Sequence, residues 1–243
     1  MLDNILLVLR DLLFPPRCAV CGKGIGIPSK GFLCTDCNGT LAVIESPMCT
    51  VCGQPFKGPE GSDHVCGQCL VHPPPFDKAR SIFYYRDAAR TLIHLIKFRG
   101  DGYALKALAA ESRKHLSEML VGIGMVVPVP LYPVRLRTRG FNQCLRLAEA
   151  VFPESTILTN LLIRKHDTLP QTGLSLKERQ KNVSGAFESS GVPEDVENIL
   201  LLDDVYTTGS TVKACSRVLK KAGIKRVQVL TFARTVPGTD LAG

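Results

Sequence analysis

Ile199-Leu200-Leu201-Leu202-Asp203-Asp204-Val205-Tyr206-Thr207-Thr208-Gly209-Ser210-Thr211 sets four consecutive apolar residues against two acids and then a turn of small hydroxyl residues. Apolar residues in unbroken succession suit a central strand of a parallel sheet, covered on both faces. The Thr-Thr-Gly-Ser-Thr turn then opens a helix, where uncovered backbone N–H groups and the helix dipole favour an anion. The two acids repel that anion, so they are suited instead to accept hydrogen bonds from neighbouring sugar hydroxyls. Phosphate at the turn and a diol at the acids together describe a ribose 5-phosphate. An ordinary strand–turn–helix junction, with Ser210 or Thr211 as a helix cap, uses some of the same residues. The complete apolar–acid–hydroxyl order is more specific than that. Other phosphate motifs are missing: no GxxxxGK[ST] loop occurs, and Gly122-Ile123-Gly124 lacks the third glycine of a dinucleotide fingerprint.

The rest of the composition agrees with a globular chain. With 243 residues, 45% apolar and 21% charged, it fits one large or two modest domains. No apolar run approaches the roughly 18 residues of a membrane span. Ile5-Leu6-Leu7-Val8-Leu9 resembles a short signal core, but Asp3, Arg10 and Asp11 bracket it tightly and no small-residue cleavage site follows. The expectation is a cytoplasmic protein. Leu2, Ile5, Leu6, Leu9, Leu12 and Leu13 form one helical stripe, read as a helix docking on the rest of the chain, with a partner or membrane surface as the alternative. The net charge of +8 favours polyanionic partners, phosphorylated small molecules and nucleic acid among them. Two clusters carry much of it: Arg135, Arg137 and Arg139, and a solvated face of Lys213, Arg217, Lys220, Lys221, Lys225 and Arg226.

Eight of the ten cysteines form four CxxC pairs, Cys18/Cys21, Cys34/Cys37, Cys49/Cys52 and Cys66/Cys69. Twelve residues separate the first two pairs and thirteen the last two, so one small unit is duplicated. Two CxxC turns supply four thiolates around a tetrahedral Zn²⁺ at about 2.3 Å. Glycines after Cys21, Cys52 and Cys66 allow the backbone to turn toward the sulfurs. Disulfides are disfavoured in a reducing compartment, and a thioredoxin-like redox site needs one CxxC beside a βαβ unit, not four. An iron–sulfur centre uses the same thiolates, but the paired ribbon spacing favours zinc. All-cysteine sites are closed, so these two zincs are expected to fold the segment and do no chemistry. His64 and His72 are left as loop residues, and Cys144 and Cys215 as buried helix residues.

Residues 1–75 thus read as an N-terminal helix and double zinc ribbon, ended by the stiff Val71-His72-Pro73-Pro74-Pro75-Phe76 connector. Residues 76–243 alternate strands and helices. Strands are expected at 79–85, 125–129, 199–202 and 226–233, and helices at 87–97, 103–120, 141–151 and 210–221. That alternation predicts an α/β fold, a parallel sheet with flanking helices, with ligands at the carboxyl ends of the strands. Val127-Pro128-Val129-Pro130-Leu131 leads through the arginine trio to Arg139-Gly140-Phe141-Asn142-Gln143, and forked guanidinium groups there suit a pyrophosphate. The segment from Arg164 to Phe187, including Thr168, Leu169, Pro170, Gln171, Arg179 and Asn182, is polar and basic with little apolar period. It reads as a long loop, either a lid over a reactive sugar or a disordered insertion.

The Ile199–Thr211 run resembles the phosphoribosyl pyrophosphate (PRPP) motif of type I phosphoribosyltransferases. The resemblance implies a phosphoribosyltransferase-like sheet behind the zinc-ribbon domain, with Asp203 and Asp204 on the ribose diol and Thr207, Thr208, Gly209, Ser210 and Thr211 on the 5-phosphate. The order of cysteine ribbons, Ile93-His94-Leu95-Ile96-Lys97-Phe98-Arg99-Gly100, VPVP…RGFNQ and LLLDD…TTGST resembles the ComF/GntX family over essentially the whole chain. That resemblance implies PRPP with Mg²⁺ as ligand, an association with DNA uptake and its machinery in competent bacteria, and phosphoribosyl transfer to an acceptor the motifs do not identify. Lys97, Arg99 and Arg139 are the candidates for pyrophosphate contacts. The other reading is a PRPP sensor or single-stranded-DNA-binding accessory protein, although Tyr84, Tyr85 and Phe98 offer few stacking platforms.

Overall fold

The computed structural model describes residues 15–26, 31–58, 61–116, 124–166, 185–193 and 196–236. The apolar stripe of residues 2–13 and the Thr168–Asn182 stretch lie outside the described residues. In chain order the elements are α1 (Thr35–Gly39), α2 (Gly67–Val71), β1 (Lys78–Tyr84), α3 (Asp87–Arg99), α4 (Gly102–Arg113), β2 (Met125–Pro128), α5 (Pro133–Arg139), α6 (Gln143–Val151), β3 (Thr156–Ile157), β4 (Leu162–Arg164), β5 (Phe187–Ser189), β6 (Asn198–Tyr206), α7 (Ser210–Lys221) and β7 (Arg226–Arg234).

Five strands form one sheet in the order β1-β7-β6-β2-β3, and every neighbouring pair is parallel. β6 is central, and its residues from Ile199 to Asp204 are all buried. Successive side chains on a strand point to opposite faces, so both faces are covered, as the unbroken apolar run predicts. Helices α6 and α7 pack against β2, β6 and β7. This is the α/β architecture expected from the sequence, a parallel sheet with flanking helices behind two cysteine ribbons.

Four expectations need correction. β6 does not stop at Leu202 but runs through both acids to Tyr206, because neighbouring side chains satisfy the carboxylates. The arginine trio does not merely precede the helix expected at 141–151; it forms a helix of its own, α5, with Pro133 at its first turn and Gly140 closing it at φ 79°. The helix expected from Tyr103 to Leu120 ends at Arg113, after which His115 turns its ring edge-on to Phe83 at 5.9 Å. The segment read as loop from Arg164 to Phe187 begins and ends in an antiparallel pair, β4 with β5, in which Arg164 faces Phe187.

The two ribbons sit differently. In the first, Cys21 is exposed and Cys34 and Cys37 are half-buried. In the second, Cys49, Cys52 and Cys69 are buried in the same core as the sheet. Its backbone joins β1 directly, Ala79 N–H donating to Val51 O at 2.7 Å. Arg80 donates to the carbonyls of Cys49 and Thr50 at 3.3 and 3.1 Å. Gly53 makes this approach possible: it stands at φ 67°, and a Cβ there would lie 2.6 Å from Ala79 O.

Candidate functional site

The carboxyl end of β6 carries Asp203 and Asp204, 9% and 5% exposed. Two buried acids side by side require compensation, and three elements supply it. From α3, Lys97 Nζ lies 3.0 Å from Asp204 Oδ2. From the start of α6, Gln143 Nε2 donates to the same oxygen at 2.8 Å, and its own Oε1 accepts from Arg139 Nη1 at 2.6 Å. Arg139, Gln143 and Asp204 therefore form one relay from the end of α5 into the sheet. Asp203 Oδ1 accepts the Asp204 backbone N–H at 2.9 Å and faces the Cys144 Sγ at 3.6 Å.

These surroundings push the two acids apart. Burial and the adjacent Asp204 charge raise Asp203 to about 7. Burial acts on Asp204 in the same direction, but Lys97 and Gln143 outweigh it and hold Asp204 below the usual carboxylate range. Lys97 is raised in turn, chiefly by the Asp204 charge. Below about pH 7 the pair thus holds one proton, carried chiefly by Asp203, beside a lysine–carboxylate ion pair.

Beyond Tyr206 the chain bends and enters α7 through Gly209, which caps the helix at φ 72°. Thr208 and Ser210 direct their hydroxyls to one another at 2.7 Å, and Ser210 N–H donates to Thr208 Oγ1 at 3.3 Å. Hydroxyls and the first-turn N–H groups of a twelve-residue helix converge here, the donor set a phosphate dianion needs. Of the expected site residues, Asp203, Asp204, Lys97 and Arg139 come together, with Thr207 to Thr211 on the chain that follows. Arg99 stays exposed on the last turn of α3, with no ion pair among the described residues. Gln143 was missed as a site residue, although the RGFNQ run contains it; a neutral amide rarely announces a role until its partners are seen.

The eight ribbon cysteines fall into two groups, Cys18, Cys21, Cys34 and Cys37, and Cys49, Cys52, Cys66 and Cys69, each with its sulfurs within 4.8 Å of one another. Cys21 and Cys34 sulfurs are 3.7 Å apart, and those of Cys52 and Cys66 3.8 Å. A tetrahedron with bonds of about 2.3 Å has edges of about 3.8 Å. Backbone N–H groups of Cys52 and Cys66 donate to Cys49 Sγ at 3.4 and 3.3 Å. Burial raises the Cys49 thiol, but these donors outweigh it and hold it at about 6. Both groups fit structural zinc. Cys144, Asp203 and Asp204 also cluster, but one acid already faces an ammonium and the other a thiol. That set suits Mg²⁺ only when a ligand's oxygens complete its shell. His64 is exposed, stacked on Phe56 at 4.0 Å and outside the metal group, as expected.

Comparison with known proteins places these features in context. The Double zinc ribbon domain family matches residues 9–70. Competence protein F of Haemophilus influenzae is 31% identical over 84% of this chain and 97% of that protein. DNA utilization protein YhgH of Escherichia coli K12 is 31% identical over 93% of this chain and 100% of that protein. Competence protein ComFC of Bacillus subtilis is 29% identical over 82% of each. Among solved structures, a purine phosphoribosyltransferase of Pyrococcus horikoshii aligns at 13% identity over 56% of this chain and 85% of that one, with a TM-score of 0.33.

Proposed function

Starting from a chain that belongs to the ComF family, we propose that it binds Mg²⁺-complexed PRPP at the carboxyl end of β6 and serves the handling of DNA taken up by the cell. One observation carries the ligand: the Lys97–Asp204–Gln143–Arg139 relay stands directly before the hydroxyl-lined start of α7. The acids would accept the ribose hydroxyls. Asp204 Oδ2 already takes two donors, and a carboxylate has room for about four. Thr207 to Thr211 would hold the 5-phosphate, and Lys97 and Arg139, both tied to the Asp204 carboxylate directly or through Gln143, would contact the pyrophosphate. Mg²⁺ would neutralise the leaving pyrophosphate.

If transfer follows, the bond from C1 to the pyrophosphate oxygen breaks, and pyrophosphate leaves with the electron pair. An acceptor lone pair then closes on C1, and the acceptor's proton passes to solvent. The residues named here only bind and orient, and positioning of that kind accounts for a large share of catalysis in group transfer. Calorimetric titration of Mg²⁺ and PRPP into zinc-loaded protein tests the reading, beside an Asp203→Asn/Asp204→Asn control. Micromolar binding abolished in the control supports it. Absence of binding to the unaltered protein refutes it.

A second reading has its own observation. Phe98 is 64% exposed, with the His94 ring 4.4 Å away and the Arg139 guanidinium 5.8 Å over its face. An exposed aromatic ring beside a guanidinium suits a stacked base of single-stranded DNA. This reading predicts oligonucleotide affinity that falls steeply with salt and drops roughly five- to hundredfold in Phe98→Ala; unchanged affinity in that variant excludes the platform.

A further inference from the structure

Arg234, at the end of β7, is 4% exposed and has no ion pair among the described residues. Its Nη1 donates to the carbonyl of Cys52 at 2.6 Å, and its Nη2 to Gln54 Oε1 at 3.0 Å. Both acceptors are neutral and both belong to the second ribbon. A buried guanidinium is costly unless a negative charge lies close. The second cysteine group can provide one, because four thiolates around Zn²⁺ form a dianion, and Cys52 is one of the four.

The guanidinium also packs on the residue that leads into the phosphate loop. Arg234 is the cross-strand neighbour of Tyr206, and its Cζ lies 4.1 Å from the centre of the Tyr206 ring. Tyr206 is itself buried and rests on Gly209, the residue that caps α7. A Cβ at Gly209 would stand 2.3 Å from the Tyr206 hydroxyl oxygen, so ring and loop backbone are in direct contact. Metal site, Cys52 carbonyl, Arg234, Tyr206 and Gly209 follow one another without a gap.

We propose that Arg234 is a positioning residue that transmits metal occupancy of the second cysteine group to the phosphate loop, through the ring of Tyr206. When the metal is present, its dianion balances the guanidinium, which stays forked onto Cys52 and Gln54 and holds the tyrosine against Gly209. When the metal is lost, the Cys52 turn loses its anchor, and the fork of Arg234 onto Cys52 and Gln54 loses its support. Arg234 then leaves its place and the loop loses its support. The first group, with Cys21 exposed, has no comparable route to the loop among the described residues. The phosphate role of the loop rests on the PRPP reading above; the mechanical link does not. Where both hold, linkage requires that metal in the second group and PRPP tighten each other's binding by the same factor, commonly about five- to 150-fold.

Amide hydrogen exchange of the full-length, zinc-loaded chain over residues 206–211 tests the link without any ligand. Cys66→Ser, which disables the second group, is expected to speed exchange there about tenfold or more, whereas Cys21→Ser, in the first group, leaves it unchanged. Arg234→Met is expected to speed it similarly with both zinc ions still bound by elemental analysis, and Arg234→Lys, able to keep one of the two bonds, to recover part of the protection. Unchanged exchange in Cys66→Ser, or in an Arg234→Met protein that keeps both metals, overturns the proposal. Should Arg234→Met fail to fold, Tyr206→Leu decides: in that background Cys66→Ser no longer alters loop exchange if the ring is the link, and an undiminished response overturns it. PRPP titration is a separate arm. Failure of PRPP to bind the unaltered protein removes the PRPP reading and leaves the exchange results to stand or fall alone.

Discussion

Replacing Lys97 by Met keeps the length of the side chain and removes the cation 3.0 Å from Asp204. At an effective dielectric of about 20, two unit charges at that distance attract by about 5.5 kcal/mol. Breaking a buried pair commonly costs about 3–5 kcal/mol, but the Lys97 side chain is 33% exposed, so solvent screening lowers the expectation to about 2–3 kcal/mol. The cost should also depend on pH in a definite direction. Asp203 releases its proton at about 7 in the unaltered protein. Without Lys97 the pair cannot carry two charges and keeps one proton well above that pH. Above pH 7 the native variant therefore holds one more proton than the native unaltered protein, while the unfolded chains do not differ. Its stability falls by about 1.4 kcal/mol for each further pH unit. Urea unfolding of the two zinc-loaded proteins should then show a difference of about 2–3 kcal/mol at pH 6 and roughly 1.4 kcal/mol more at pH 8. Comparing both proteins at each pH cancels the pH dependence of zinc binding. A cost under about 1 kcal/mol, or the same cost at both pH values, would refute the account of the acid pair.

Asp204→Ala should weaken PRPP about ten- to hundredfold, the loss of charge-assisted bonds to the diol of about 1.5–3 kcal/mol, and equal affinity by calorimetry would argue against diol contact. Because Asp203 is raised to about 7 and Mg²⁺ favours its ionised form, PRPP binding should release a proton below pH 7. Affinity should climb up to about tenfold per pH unit until pH 7 and level off above it; calorimetry in two buffers of different ionisation enthalpy reads the proton directly, and no buffer dependence at pH 6 would exclude the linkage. Gly53→Ala places a Cβ 2.6 Å from Ala79 O at φ 67°, a strain and overpacking cost of about 2–4 kcal/mol. Thermal unfolding should fall by roughly 5–15 °C, and a midpoint within 2 °C would mean that the ribbon does not dock so closely.

What the sequence made legible follows from how local the signals are. Ile199 to Thr211 discloses a buried strand, an acid pair and a helix start within thirteen residues, and the CxxC spacings disclose two metal groups. The strand's true end was hidden, because an acid normally marks a boundary. Asp203 and Asp204 continue inside β6 only because Lys97, Gln143 and Cys144 arrive from α3 and α6. α5 was readable in principle from Pro133 and Gly140, but three alternating arginines drew attention to charge instead of caps. β4 and β5, three residues each, are shorter than any periodicity window. The contact of Arg234 with Cys52 spans 182 positions, and no local pattern encodes such a partner.

The position of β1 has a consequence for the order in which the molecule can be made. Among the described strands its neighbour is β7, which is made after the other six. Ser81 and Thr231, whose hydroxyls meet at 2.6 Å, are 150 positions apart. At about 5–20 residues per second, β1 waits roughly 8–30 seconds for its partner. Through that interval β1 has its bonds to residues 42–44 and to Val51, but no parallel partner, to hold it. Chains stalled before Arg226 should thus be cut by protease within residues 78–84, and chains extended past Arg234 should resist. Synthesis of β7 is the step that pairs β1 within the sheet and sets Arg234 against the second ribbon.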